Sequence, residues 1–298
     1  MTGGGLEIAG EVSLAVAAKA SSENFPVALR VLPARLRQHL TAYYGFVRLA
    51  DDIGDEPLPG AARGLSGQEE CATRIRLLDE LEADVRKIYV AGQEPQLPTV
   101  RALGETVRAT GIPLEPLAGS IQSNRQDQLV TRYETYDELV RYCELSANPV
   151  GQSVLHIFGA ATPERIALSD KICTALQLVE HWQDVDEDLR NGRIYLPQED
   201  LRAYGVTEED LAQPTASQAV ISLMTFETER AKTLLDEGAP LAGTLSGFAR
   251  VAISGYIAGG RAALKAIRQR GYDVLAVTPK PGKAATLAGL VGCYVRGR

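Results

Sequence analysis

The chain has 298 residues, 45% of them hydrophobic, with 31 Lys and Arg against 38 Asp and Glu for a net charge of −7. That length supports one large globular domain or two small ones, with enough apolar residues to enclose a sizeable cavity. The acidic balance lacks the basic footprint of a nucleic-acid binder, no window approaches the ~20 consecutive apolar residues of a spanning helix, and the four cysteines show no metal-ligand spacing.

Residues 1–20 open with a Gly-rich run and are expected to be poorly anchored; they lack the basic start and apolar core of a secretory signal. Cys71, Cys143, Cys173 and Cys293 read as reduced core thiols of a cytosolic protein. Ser21 to Pro26 carries helix-start chemistry, and Pro33 opens a helix expected to run through Tyr43 and Tyr44 into the Asp51 region. Residues 56–67 are a loop by their proline and glycine content. Ile75, Leu78, Leu81, Val85 and Ile88 recur at helical steps and predict a helix over 68–91.

Further helices are expected over 99–110 and, after a break at 112–116, over 117–130. Ser120 to Asp127 places Gln122, Asn124, Arg125 and Asp127 as a polar set inside that last pattern. Tyr136 to Phe158 reads as an apolar helix interrupted at Asn148-Pro149. A helix over about 164–189, a loop containing Pro197, a short helix near 208–212 and long helices over 216–237 and 241–270 follow. No strand alternation and no fixed-period repeat stand out. The fold class is all-α, with residues 21–279 as one domain and 280–298 as a tail.

Two stretches carry chemistry. In QLVEHWQDVDEDLRNGRIYLP, Gln177, Glu180, Asp184 and Asp188 recur every three or four residues, so one helical face carries an amide and three carboxylates. Like charges at that spacing repel, and something positive is expected to sit over them. Arg190 and Arg193 follow around an Asn191-Gly192 turn. In TAYYGFVRLADDIGDE, Asp51 and Asp55 share a face with Arg48 one turn earlier and Tyr44 another turn back. Acids for a cation beside bases for an anion suit a diphosphate held through magnesium, a hard cation that takes oxygen ligands.

At Asn148-Pro149 the proline removes a backbone donor and displaces its ring against the carbonyl of Leu145. One reading is a kink between packed helices. The other puts the Asn148 amide and freed carbonyls into an apolar pocket, where Ala147, Val150 and Gly151 leave room for a ligand beside Tyr142. Tyr256 lies on a helix weakened by Gly255, Gly259 and Gly260, for which close packing of another helix, or else of a ligand, would compensate. His39, His156 and His181 show no acid or nucleophile partner in the sequence and read as structural or surface residues. The tail, with Lys280, Lys283, Arg296 and Arg298, is a modest basic patch that invites transient contact with an anionic membrane surface.

SSENFPVA, YGFVRLADDIGDE and QLVEHWQDVDEDLRNGRIYLPQEDL together resemble the head-to-head trans-isoprenyl diphosphate synthases, the squalene, dehydrosqualene and phytoene synthases, over roughly residues 20–275. SSENFP, SANPVG at 146–151 and WQDV at 182–185 resemble the hopanoid-pathway hydroxysqualene synthase branch. The resemblance implies an isoprenoid synthase helical bundle around a central apolar cavity. It matches Asp51, Asp55, Asp184 and Asp188 to two aspartate-rich metal motifs, and Arg48 and Arg193 to diphosphate contacts. Ser22, Phe25, Tyr44, Tyr142, Gln177 and Tyr256 match residues lining the prenyl pocket.

Glu180 stands where phytoene and presqualene synthases have asparagine, which adds a carboxylate to the metal face. Gln183 stands where they have arginine, which removes a cation. An enzyme receiving one preformed diphosphate needs fewer phosphate clamps than one joining two. The implied reaction is magnesium-dependent conversion of presqualene diphosphate to hydroxysqualene and diphosphate, without a nicotinamide and with Asn148 and Gln177 as candidate water-holding groups. Condensation of two prenyl diphosphates is the alternative, and a non-catalytic helical scaffold the remote one.

Overall fold

A computed structural model describes Gly10, residues 32–59 and 62–279, Leu290 and residues 292–297. Ser22, Phe25, the expected loose N-terminal stretch and most of the basic tail lie outside the described residues. Among the described residues there is no strand, only an isolated parallel bridge between Arg132 and Ile194. The architecture is all-α, as the sequence pattern requires. The helices divide into two compact units, one holding residues up to 129 together with 152–159, the other holding 130–151 and 160 onward.

In the first unit, α1 (Ala34–Asp55) packs against α2 (Gly67–Arg86), α3 (Pro98–Thr110) and α4 (Leu114–Asp127). The cause is the spacing of Phe46, Leu49 and Ile53, which line one face of α1 and are fully buried. Burying each such side chain stabilises the fold by roughly 1.5–3 kcal/mol. The remaining face carries Tyr44, Arg48, Asp51 and Asp55. Arg74 of α2 donates to the Ile53 carbonyl at 2.6 Å and so satisfies a last-turn acceptor of α1. The buried Asp84 accepts from the backbone N–H groups of Gln96 and Leu97, both at 2.8 Å, and seats the start of α3.

Two boundaries differ from the sequence expectation. The helix expected over 68–91 ends at Arg86 and tightens into a 3₁₀ turn over Lys87–Tyr89. The break expected at 112–116 is shorter, because α4 begins at Leu114. Pro116 falls in its first turn, where a missing N–H breaks no intrahelical bond.

In the second unit, α7 (Pro163–Gln183) packs against α5 (Tyr136–Ser146), α11 (Gln218–Gly238) and α13 (Gly247–Gln269). Between α5 and α7 runs α6 (Asn148–Ile157), whose residues from 152 belong to the first unit. Thr162 caps α7 by accepting from the Arg165 N–H, with Pro163 at the first helical position. Small residues bring the helices close. A Cβ at Gly238 of α11 would stand 2.7 Å from Ile172 of α7, and one at Gly260 of α13 would stand 2.6 Å from Leu176 of α7. Close packing therefore accounts for Gly260, whereas Gly259 has nothing within 4 Å.

The helix expected over 164–189 is interrupted: α7 ends at Gln183, and α8 (Val185–Arg190) begins after Asp184, whose φ and ψ are −109° and 20°. Likewise α12 (Leu241–Thr244) is separate from α13, with Leu245 and Ser246 in extended backbone between them. The loop expected around Pro197 contains α9 (Gln198–Tyr204), and α10 (Glu208–Leu211) follows with a Thr207/Asp210 capping box. All four cysteines are free thiols. Among the described residues no helix is long and apolar enough to cross a membrane.

Candidate functional site

The two acidic stretches are built differently, one in each unit. On α1, Tyr44, Arg48, Asp51 and Asp55 form one stripe along the helix. Asp51 is open to solvent by area, yet burial raises its pKa to about 6, reinforced by repulsion from Asp55 and opposed by Arg48 and a hydrogen bond from Asn124. Desolvation disfavours the charged form of a carboxyl group, which is the direction of this shift. Asn124 of α4 donates from Nδ2 to Asp51 Oδ1 at 3.3 Å. Arg48 pairs with Asp52 at 2.7 Å and with Glu56 at 3.2 Å, so its guanidinium is held at the base of the stripe beside the two candidate acids.

In the second unit, Gln177, Glu180 and Asp184 keep their helical spacing along α7, and Asp188 follows on α8. The i→i−4 backbone bonds persist through the interruption, from the Asp184 N–H to the Glu180 carbonyl at 3.1 Å and from the Asp188 N–H to the Asp184 carbonyl at 2.8 Å. The Asp184 pKa is raised by burial and by its neighbours Asp188, Glu187 and Glu180, with His181 opposing. Asn191-Gly192 turns the chain, and Gly192 takes the left-handed conformation at φ 78° that glycine adopts without steric cost. The Arg193 N–H then returns to the Asp188 carbonyl at 2.8 Å, which brings the base next to the last acid. The donor sets of both stretches are all oxygen and carry surplus negative charge. Among the described residues, no three His, Cys, Asp or Glu side chains converge on a ready-made ion site.

His181 departs from its sequence reading. It is buried, its Nε2 lies 3.0 Å from Gln177 Nε2, and its Nδ1 lies 3.8 Å from Asp188 Oδ2. The acid partner absent from its immediate sequence is supplied by the next helix. Its ring stacks on Tyr195, and Tyr142 and Tyr133 complete an aromatic cluster with centroid separations of 5.4–5.9 Å among the tyrosines. Neither Tyr195 nor Tyr133 stands out in the sequence, because an isolated tyrosine between helices carries no periodic signal. The structural reading holds for His39, whose Nδ1 lies 3.1 Å from Thr106 Oγ1 inside the first unit, and for His156, whose pKa burial lowers.

At the Asn148-Pro149 break, the chain steps from α5 to α6 with Ala147 closing the first helix. Asn148 is buried, and its Oδ1 accepts from Thr174 Oγ1 of α7 at 2.9 Å. Gly151 does not leave the room for a ligand that the sequence invited. A Cβ there would meet Ser169 Oγ and stand 2.5 Å from Cys173 Sγ, so the missing side chain admits α7 itself. Val150 is half-buried one residue earlier. Tyr256 of α13 is 49% exposed, yet burial raises its phenol above the usual tyrosine range. Gln183 donates from Nε2 to the Pro279 carbonyl, so it serves as a tie between the end of α7 and the chain after α13.

An all-α chain with two acid-rich helical stretches, each beside a basic residue, defines the class: a helical synthase of the isoprenoid type. The squalene/phytoene synthase family model matches residues 18–285, and the chain belongs to that family. It is 34% identical to a hydroxysqualene synthase of Rhodopseudomonas palustris over 76% of this chain and 72% of that one. A phytoene synthase of Arthrospira platensis is 30% identical over 73% of this chain and 71% of its own. The crystal structure of squalene synthase HpnC from Alicyclobacillus acidocaldarius aligns with a TM-score of 0.76 at 37% identity, covering 88% of this chain and 95% of that one.

Proposed function

We propose that the chain is a hydroxysqualene synthase: it ionises presqualene diphosphate with magnesium, captures one water on the resulting carbocation and releases hydroxysqualene and diphosphate, a carbon–oxygen lyase reaction. The observation that carries this reading is the similarity to hydroxysqualene synthases of Rhodopseudomonas palustris and Sinorhizobium fredii at 34% and 32% identity. Gln183 agrees with it, because its side chain is committed to Pro279 and offers no cation for a second diphosphate.

The donor chemistry fits magnesium. Asp51 and Asp184 are held against burial and like charge, a cost that a divalent cation relieves. In the first unit Asp51 and Asp55, and in the second Glu180, Asp184 and Asp188, are the residues that would each hold such an ion. When bound, the ion supplies Lewis-acid stabilisation of charge developing on the departing diphosphate. Arg48 beside the first pair of acids and Arg193 beside the second add fixed positive charge within their own units. The open ring of Tyr256 stabilises the carbocation left behind, a cation–π attraction worth about 2 kcal/mol when desolvated. The Thr174 hydroxyl holds the Asn148 amide by Oδ1 and leaves its NH₂ group to hold the incoming water by oxygen. The proton lost on capture leaves with the diphosphate.

The alternative, condensation of two prenyl diphosphates, is favoured by the 30% identity to a phytoene synthase. One experiment separates the two. The protein is incubated with magnesium and either presqualene diphosphate or two equivalents of farnesyl diphosphate, and the lipids are identified. Hydroxysqualene from the first and nothing condensed from the second is expected; abundant presqualene diphosphate or a thirty-carbon dehydrosqualene-type product would reverse the reading.

A further inference from the structure

Asp51 meets a donor for which α1 has made room. Asn124 is buried on α4, and both N–H groups of its amide have acceptors: Asp51 Oδ1 at 3.3 Å and the Ser120 carbonyl one turn earlier at 3.1 Å. The backbone bond fixes the amide plane, so the other N–H points at the carboxylate from a rigid helix rather than from a mobile loop. Its Oδ1 occupies space next to Gly54. A Cβ on residue 54 would stand 2.5 Å from that oxygen, and the next contact outside Asn124 is Gln128 Nε2 at an unstrained 3.7 Å. Gln128 donates to the Gly54 carbonyl and to the Asn124 carbonyl, each at 3.2 Å, and clamps α4 to α1 at the same level.

Resting on the reading of Asp51 as a diphosphate-site acid, we propose that Asn124 is a positioning residue that fixes the orientation of the Asp51 carboxylate, and that glycine stands at 54 to admit it. One carboxylate oxygen is pinned by the amide and the other is left for a ligand. A carboxylate that retains free rotation must lose that freedom on each binding event, whereas a pinned one has already lost it. Nothing in the spacing of DDIGDE or of the polar set at 120–127 joins these residues, since they lie 73 positions apart.

The test compares wild type, Asn124→Ala, Gly54→Ala and the double variant. Three quantities are read: magnesium-dependent diphosphate release, calorimetric binding of magnesium with inorganic diphosphate, and the melting temperature. Asn124→Ala is expected to raise the magnesium concentration for half-maximal release about tenfold, the worth of one hydrogen bond to a charged group. It should weaken the calorimetric affinity similarly while the melting temperature stays near wild type.

Gly54→Ala should show the same loss, and adding it to Asn124→Ala should cost nothing more, because the atom it would strike is gone. An unchanged magnesium midpoint and affinity in Asn124→Ala, or losses that add in the double variant, would overturn the proposal. Should Gly54→Ala alone fail to fold, recovery of folding in the double variant reports the same coupling and its absence counts against it. A wild type that binds magnesium and diphosphate but releases none from a prenyl diphosphate would instead sink the functional reading, and the calorimetric arm still decides the role of Asn124.

Discussion

His181 and Tyr195 lie ring on ring, with centroids 3.6 Å apart and planes 12° from parallel. The stack fixes the imidazole plane, and Gln177 faces its Nε2 from one turn earlier. With the Gln177 amide donating, the ring proton lies on Nδ1, directed towards Asp188 Oδ2 at 3.8 Å. Replacement by phenylalanine keeps the stack and removes only the nitrogens. His181→Phe is expected to unfold in urea at nearly the wild-type midpoint while magnesium-dependent diphosphate release drops by roughly a factor of two to five, as for a lost weak charge contact. Release at the wild-type rate would show that the ring serves packing alone.

Glu227 has no accessible surface, and its pKa is pushed to about 8, chiefly by burial and then by its hydrogen bond with Asp200, with Arg230 opposing. The folded chain therefore binds this proton more tightly than a free glutamate of pKa 4.5. Its contribution to stability is complete below that value and is lost as pH rises to about 8, amounting to a few kcal/mol. Glu227→Gln carries a neutral side chain at every pH. Thermal melts at about pH 5 and about pH 8.5 should show the wild type losing more stability over that interval than the variant; parallel losses would place the sensitivity elsewhere.

Gly151 separates two physical readings of SANPVG. If its missing side chain makes room for α7, Gly151→Ala forces Ser169 and Cys173 aside and costs roughly 1–3 kcal/mol of overpacking, less about 1 kcal/mol of improved helix propensity. If it makes room for a ligand, the same change leaves the free protein as stable or more so and impairs turnover only. A lowered urea midpoint, partly restored by adding Cys173→Ala, is the expected result.

Thr174 and Asn148 form a buried pair. Thr174→Val leaves the Asn148 oxygen without its donor, at a cost of about 1–3 kcal/mol, and frees the amide to turn. Where that amide holds the captured water, Thr174→Val and Asn148→Ala should both shift products from hydroxysqualene towards other alcohols or hydrocarbon while diphosphate release continues. Chromatographic product profiles check this, and an unaltered profile in both variants would move the water-holding role to another group.

Much of this molecule was legible before its structure, because helices announce themselves through local spacing. Ile75, Leu78, Leu81 and Val85 recur at the steps that mark α2, and the acids at 51, 55, 184 and 188 recur at intervals that a helix aligns. The interruption at Asp184 was invisible, since its backbone bonds continue on both sides and no glycine or proline marks it. The pairings that tertiary structure alone decided are Asn124 with Asp51, His181 with Tyr195 and Asp188, and Gly151 with α7. They depend on which helix faces hold one another, and a long-range contact leaves no trace in the periodicity of either partner.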